Sequence, residues 1–97
     1  MIRRKTERLG EALRLFWADN PELYHKMLEA RIQRLWSELF GSTVARETSN
    51  VYVKNRILYV FMTSSVVRSE MSSMRKRLVK TLNEHAGSDV IDDVMIR

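Results

Sequence analysis

The chain has no cysteine, one proline, three glycines and two histidines in 97 residues. Without cysteine there is no disulfide, no thiolate metal site and no thiol nucleophile, although such an absence fits either redox compartment. No phosphate-binding loop, nucleophile elbow or metal-ligand cluster can be found. His25 and His85 do not stand at ligand spacing. The neighbours Asp92 and Asp93 would point to opposite faces of a strand, so they cannot converge on one substrate. The chain therefore reads as a non-enzyme with no cofactor, no metal and no small-molecule substrate. Long apolar runs are also missing. The longest, Ile57–Met62, falls far short of the roughly 20 residues that cross a bilayer. The charged start lacks an apolar signal core, so cytoplasmic residence without a membrane is expected.

What is present is basic charge: 17 Lys and Arg against 12 Asp and Glu, a formal net charge of +5. Arg3, Arg4, Lys5 and Arg8 cluster at the start, Arg75, Lys76, Arg77 and Lys80 in the second half, and acid collects at Glu84, Asp89, Asp92 and Asp93. This balance biases the protein toward polyanions. Each cluster taken alone also reads as the solvated face of a helix. With 44% hydrophobic and 30% charged residues, the chain suits one small domain over residues 1–97, with a basic segment at residues 1–8 that has room for flexibility.

Leu9, Ala12, Leu13, Phe16 and Trp17 recur at helical spacing and predict a first helix with an inward apolar stripe. Asn20 and Pro21 end it, and proline suits the first turn of a second helix. That helix carries Tyr24, Met27, Leu28, Ile32, Leu35, Trp36, Leu39 and Phe40 and stops at Gly41. With almost nothing between them, the two helices should pair antiparallel or cross steeply. After room for one helical turn at residues 43–46, the period drops to two. Strands are expected at residues 48–54 and 57–63, with Asn55 and Arg56 at the tip. Arginine is a poor second residue for a primed turn. A two-residue loop would pair Val53 with Leu58, Tyr52 with Tyr59, Val51 with Val60 and Asn50 with Phe61, whereas a slip of one would exchange the faces. Ser64 or Ser65 should cap a third helix with a buried stripe of Val67, Met71, Met74, Leu78 and Leu82, ending at Gly87. A last strand at residues 90–96 would lie parallel to the central Ile57–Met62 strand. The fold class is α+β in the order α-α-β-β-α-β, a three-stranded sheet with helices mainly on one face.

Candidate binding residues follow from these elements. In the expected register Tyr52, Lys54, Ile57, Tyr59 and Phe61 share a face, and aromatic rings beside a cation on a sheet can stack unpaired bases. Cover by the first helix, or by a second copy in a homodimer, accounts for the same face, since tyrosine also favours strands. Amides after Ser64 and Ser65, with Arg68, could hold a phosphate. A plain cap stabilised by Glu70 explains them equally. Arg75, Lys76 and Lys80, with Arg3, Arg4 and Lys5, could track a phosphate backbone through salt-sensitive contacts that read no base sequence.

Trp36-Ser-Glu-Leu-Phe-Gly41, Ala45, Thr48, Ile57-Leu-Tyr-Val60, Ser64-Ser65, Arg68-Ser-Glu70 and Leu82-Asn-Glu84 occur in this order. The ordered set resembles the DciA-like family, long catalogued as domain of unknown function 721, over about 75 residues. The resemblance implies a K-homology-like fold, here without a Gly-x-x-Gly loop, because Gly10, Gly41 and Gly87 lie far apart. It also implies a replication adaptor that binds DNA and helps load the bacterial replicative helicase. Better-known members add a long basic tail, and a chain ending at Arg97 implies a short form without it. A general nucleic-acid-binding module without a helicase partner, or a homodimeric protein-interaction module, are the alternatives.

Trp36, among Ile32, Leu39 and Phe40, should be buried. Trp36→Ala is expected to lower unfolding free energy by roughly 3–5 kcal/mol. Denaturant titration showing wild-type stability would mean that the helix face is misassigned.

Overall fold

The computed structural model describes residues 2–97, with side chains described from Lys5 onward. Helix α1 (Ile2–Asp19) meets α2 (Pro21–Leu39) at Asn20, and proline occupies the first turn of α2, where a missing N–H costs nothing. At the next junction Gly41 takes φ of +90°, which turns the chain into the short α3 (Gly41–Glu47). An added Cβ there would meet nothing within 4 Å, so the demand for glycine is conformational rather than steric. Strands β1 (Thr48–Lys54) and β2 (Ile57–Met62) form an antiparallel hairpin. Helices α4 (Ser65–Ser72) and α5 (Arg75–Ala86) then lead to β3 (Asp93–Ile96), which runs parallel to β2. The sheet order is β1-β2-β3, with β2 central. Element order, mixed sheet and hairpin register agree with expectation.

Every second residue of β2 is buried: Leu58, Val60 and Met62. These pack with Leu28, Ile32 and Trp36 of α2, Met71 of α4, Leu78 and Leu82 of α5, and Val94 of β3 in one contiguous core. Arg31 Nη1 of α2 donates to Ala86 O at 2.8 Å, supplying a partner to the open carbonyl end of α5. Trp36 is fully buried, as its spacing predicted. Its Nε1 donates to Thr48 Oγ1 at 3.1 Å, and that hydroxyl donates to Val44 O at 2.6 Å.

Three expectations are corrected. The stripe of α1 does not turn inward: Leu9, Leu13 and Phe16 are 62%, 47% and 47% exposed. Contact with α2 is concentrated near the joint, where Trp17 and Tyr24 rings lie 5.7 Å apart. The expected third helix is divided at Ser73 and Met74. Ser73 Oγ bonds back to Glu70 O at 2.6 Å, and Met74 N bonds to Met71 O in a tightened turn. Met74 is thereby rotated out of the stripe and left exposed. The last strand begins at Asp93 rather than at residue 90, because the amides of Val90 and Ile91 donate instead to Asn83 Oδ1 at 3.0 and 3.1 Å. Asn83 Nδ2 returns a bond to Ile91 O at 2.8 Å.

At the hairpin tip Asn55 and Arg56 have φ of 53° and 63°, the left-handed pair of a primed turn. Arginine there costs roughly 1–2 kcal/mol. Its side chain and carbonyl are held by the segment before β3. The guanidinium grips Asp92 through two 3.0 Å bonds and Asp89 O at 3.2 Å, while Asp92 N donates to Arg56 O at 2.7 Å. Hydrogen bonding from Arg56 lowers the Asp92 pKa below its ordinary 3.8, and hydrogen bonding from Arg75 does the same for Asp93. Lowered carboxylate values stabilise the fold above the ordinary carboxylate range. That contribution is lost as pH falls through the folded-state values. Thermal melts from neutral to acid pH should therefore show a smaller acid-induced loss in Asp92→Asn than in wild type. Parallel curves would remove the clasp from the stability balance.

Candidate nucleic-acid interface

The face of the sheet turned away from the helices is built by cross-strand pairing. Tyr52 stands opposite Tyr59, which stands opposite Met95, and Asn50 stands opposite Phe61. Tyr52 and Tyr59 rings stack at 5.1 Å with 22° between planes, and Tyr52 and Phe61 at 6.0 Å and 26°. Tyr52 is exposed, while Tyr59 and Phe61 are half-buried. A shallow groove runs over these rings between Lys54 and Asn55 at one end and Arg97 at the other. Both Lys54 and Arg97 are exposed. Mutual stacking holds the ring planes nearly parallel and already ordered, so a base can stack against them without ordering them first.

A bulge makes this arrangement possible. Thr48 pairs with inward-facing Met62, yet Asn50 pairs with outward-facing Phe61, so the register shifts between them. Simple alternation would place Thr48 and Tyr52 on one face. The extra residue, Ser49, bonds through Oγ to Phe61 O at 3.1 Å. Thr48 can thus serve the core while Tyr52 faces outward.

Of the residues singled out from sequence, Tyr52, Lys54 and Tyr59 come together here. Arg97 joins them and was missed, although alternation continued from Asp93 and Met95 reaches it. Arg75 ion-pairs with Asp93, and its Nη2 lies 3.6 Å from Met95 Sδ, beside the β3 edge. Lys76 and Lys80 are exposed on α5, which packs against α2 and β3, and Lys80 lies 4.0 Å from Glu84. The groove beside the start of α5 mixes Arg75, Lys76 and Arg77 with Asp92 and Asp93, so carboxylates offset its attraction for phosphate. Arg68 donates through Nη2 to Met62 O at 2.8 Å, tying α4 to the end of β2. Ser64 caps α4 by accepting from Val67 N at 3.3 Å. Lys5 is exposed on α1, whereas the Arg3 and Arg4 side chains lie outside the described residues. His25 lies 3.2 Å from Glu29, and His85 Nδ1 contacts Thr81 O at 2.9 Å. Among the described residues no helix is long and apolar enough to cross a membrane.

A family model described as Dna[CI] antecedent, DciA, matches residues 8–96. The chain belongs to the DciA family. Membership supports a replication-associated adaptor at the level of the family. A comparison with curated proteins gives no match. Several residues that carry the DciA resemblance have fold-fixing contacts here: Trp36 with Thr48, Ser64 at the cap of α4, Arg68 on Met62 O, and Asn83 on the approach to β3. The aromatic face shares Tyr59 with that set and adds Tyr52 and Phe61.

Charge reversal on α5 separates its surface from the sheet face. Lys76→Glu with Lys80→Glu should leave the melting temperature nearly unchanged, since both side chains are exposed. At a salt concentration that screens the lowered net charge, binding to fluorescent DNA should fall further only if α5 contacts the backbone, and unchanged binding there would assign the contact elsewhere.

Proposed function

We propose that this DciA-family chain is a non-enzymatic adaptor that helps place a replicative helicase on DNA and holds single-stranded nucleic acid across the outer face of its sheet. The observation that carries the reading is the open row of Tyr52, Tyr59 and Phe61 between Lys54 and Arg97. Aromatic planes bind bases of any identity, and flanking cations meet the phosphates on either side. Net charge of +5 draws the polyanion toward the protein. Stacking does not depend on base identity, so the binding is non-specific and, through its cations, salt-sensitive. A duplex keeps its bases stacked inside and offers these rings only its backbone, which favours the single strand. The helicase role comes from family membership.

Titration of fluorescent single-stranded and duplex DNA, with and without the replicative helicase, tests both parts. Tyr52→Ala and Tyr59→Ala should each weaken single-strand binding by about 1–3 kcal/mol, with duplex binding much less affected. Capture of DNA that increases with helicase supports the adaptor role. Salt-sensitive binding indifferent to helicase would leave a general nucleic-acid module, and no DNA binding at all would overturn the sheet-face reading.

A further inference from the structure

Helix α1 carries an apolar seam that the rest of the fold leaves open. Leu9, Leu13 and Phe16 follow at intervals of four and three, so they line one face while remaining about half or more exposed. A seam of this kind on an amphipathic helix suits another helix. The flank beside it has a direction: Lys5, Ala12 and Asp19 recur every seven residues and fall on one side of the seam. In a parallel pair Lys5 of one copy would lie beside Lys5 of the other and repel it. In an antiparallel pair this flank meets its own reverse. Lys5 of each copy then lies opposite the partner's Asp19, and the two Ala12 residues, small enough to admit close approach, meet at the centre. The helix dipoles favour the same arrangement, because each basic start lies beside a carbonyl end.

We propose that α1 is a homodimerisation helix, pairing antiparallel with α1 of a second copy through Leu9, Leu13 and Phe16, with Lys5 set against the partner's Asp19. The geometry permits it. Eighteen residues make a helix of about 27 Å, and α1 joins the rest of the chain only at its C-terminal end. Antiparallel pairing therefore places the two bodies at opposite ends of the seam. The long dimension of the molecule, 52 Å against 28 and 21 Å, leaves the seam accessible. The isologous contact closes on itself and stops at two copies.

Sedimentation velocity on the full chain at micromolar concentrations tests the proposal. Wild type should sediment at twice its 11.5 kDa mass. Leu13→Glu should be monomeric while keeping the wild-type circular dichroism spectrum, since Leu13 is 47% exposed in the single chain, and its melt should lose only the concentration dependence that association confers. Lys5→Glu should weaken association roughly tenfold, and adding Asp19→Lys should restore it. Tyr59→Lys, on the sheet, should leave the dimer intact. A monomeric wild type, or a dimer that survives Leu13→Glu, would overturn the proposal. Failure of the charge swap to restore association would overturn the antiparallel pairing. A monomer that loses helicase capture on Leu13→Glu would transfer the seam to the helicase and equally overturn self-association.

Discussion

The indole of Trp36 has no exposed surface, so its N–H must find an acceptor inside the protein. Thr48 Oγ1 supplies it and passes its own hydrogen to Val44 O. This short relay links α2, α3 and the first residue of β1. It fixes Thr48 on the inner side of the sheet, and the bulge that follows returns the next residues to an outward register. The orientation of Tyr52 on the far side of the sheet thus depends on a hydrogen bond made in the core. Loss of the relay would leave a buried donor unpaired and free the start of β1 to slip. A slip of one residue would exchange the aromatic and aliphatic faces.

Charge is divided between two uses. Arg56 and Arg75 are engaged by Asp92 and Asp93, and Arg68 by a backbone carbonyl. Arg56 and Arg75 each use a planar fork to join elements far apart in sequence, and Arg68 ties α4 to the neighbouring end of β2. Lys54, Lys76 and Lys80 project from exposed positions on the sheet and α5. The acidic residues near the C-terminus therefore do more than offset net charge. They draw the hairpin tip and the start of α5 onto β3.

Periodicity predicted which side chains share a face, and the β1 and β2 register followed from two-residue alternation across a two-residue turn. From the same pattern Tyr52, Lys54 and Tyr59 were legible as one surface. What periodicity does not encode is whether a neighbour arrives to cover a stripe. That is why Leu9, Leu13 and Phe16 look like core residues in sequence and stand exposed in the fold. Backbone competition was equally hidden. Ser73 diverts a carbonyl in the middle of an otherwise continuous helical pattern, and Asn83 takes two amides from a segment whose valine and isoleucine favour a strand. The αL arginine at the hairpin tip is unfavourable locally, and its partner lies 36 residues away.

That separation has a kinetic consequence. The hairpin closes over two residues, so its strands can meet early and at little loop-closure cost. The parallel strand must wait for α4 and α5 to span the crossover, which makes its contacts of high sequence separation and late formation. Interactions absent from the folding barrier act on the unfolding rate alone. The guanidinium of Arg56 thus serves as a catch on an assembled molecule: it leaves the time taken to fold almost untouched and lengthens the time for which the folded sheet persists.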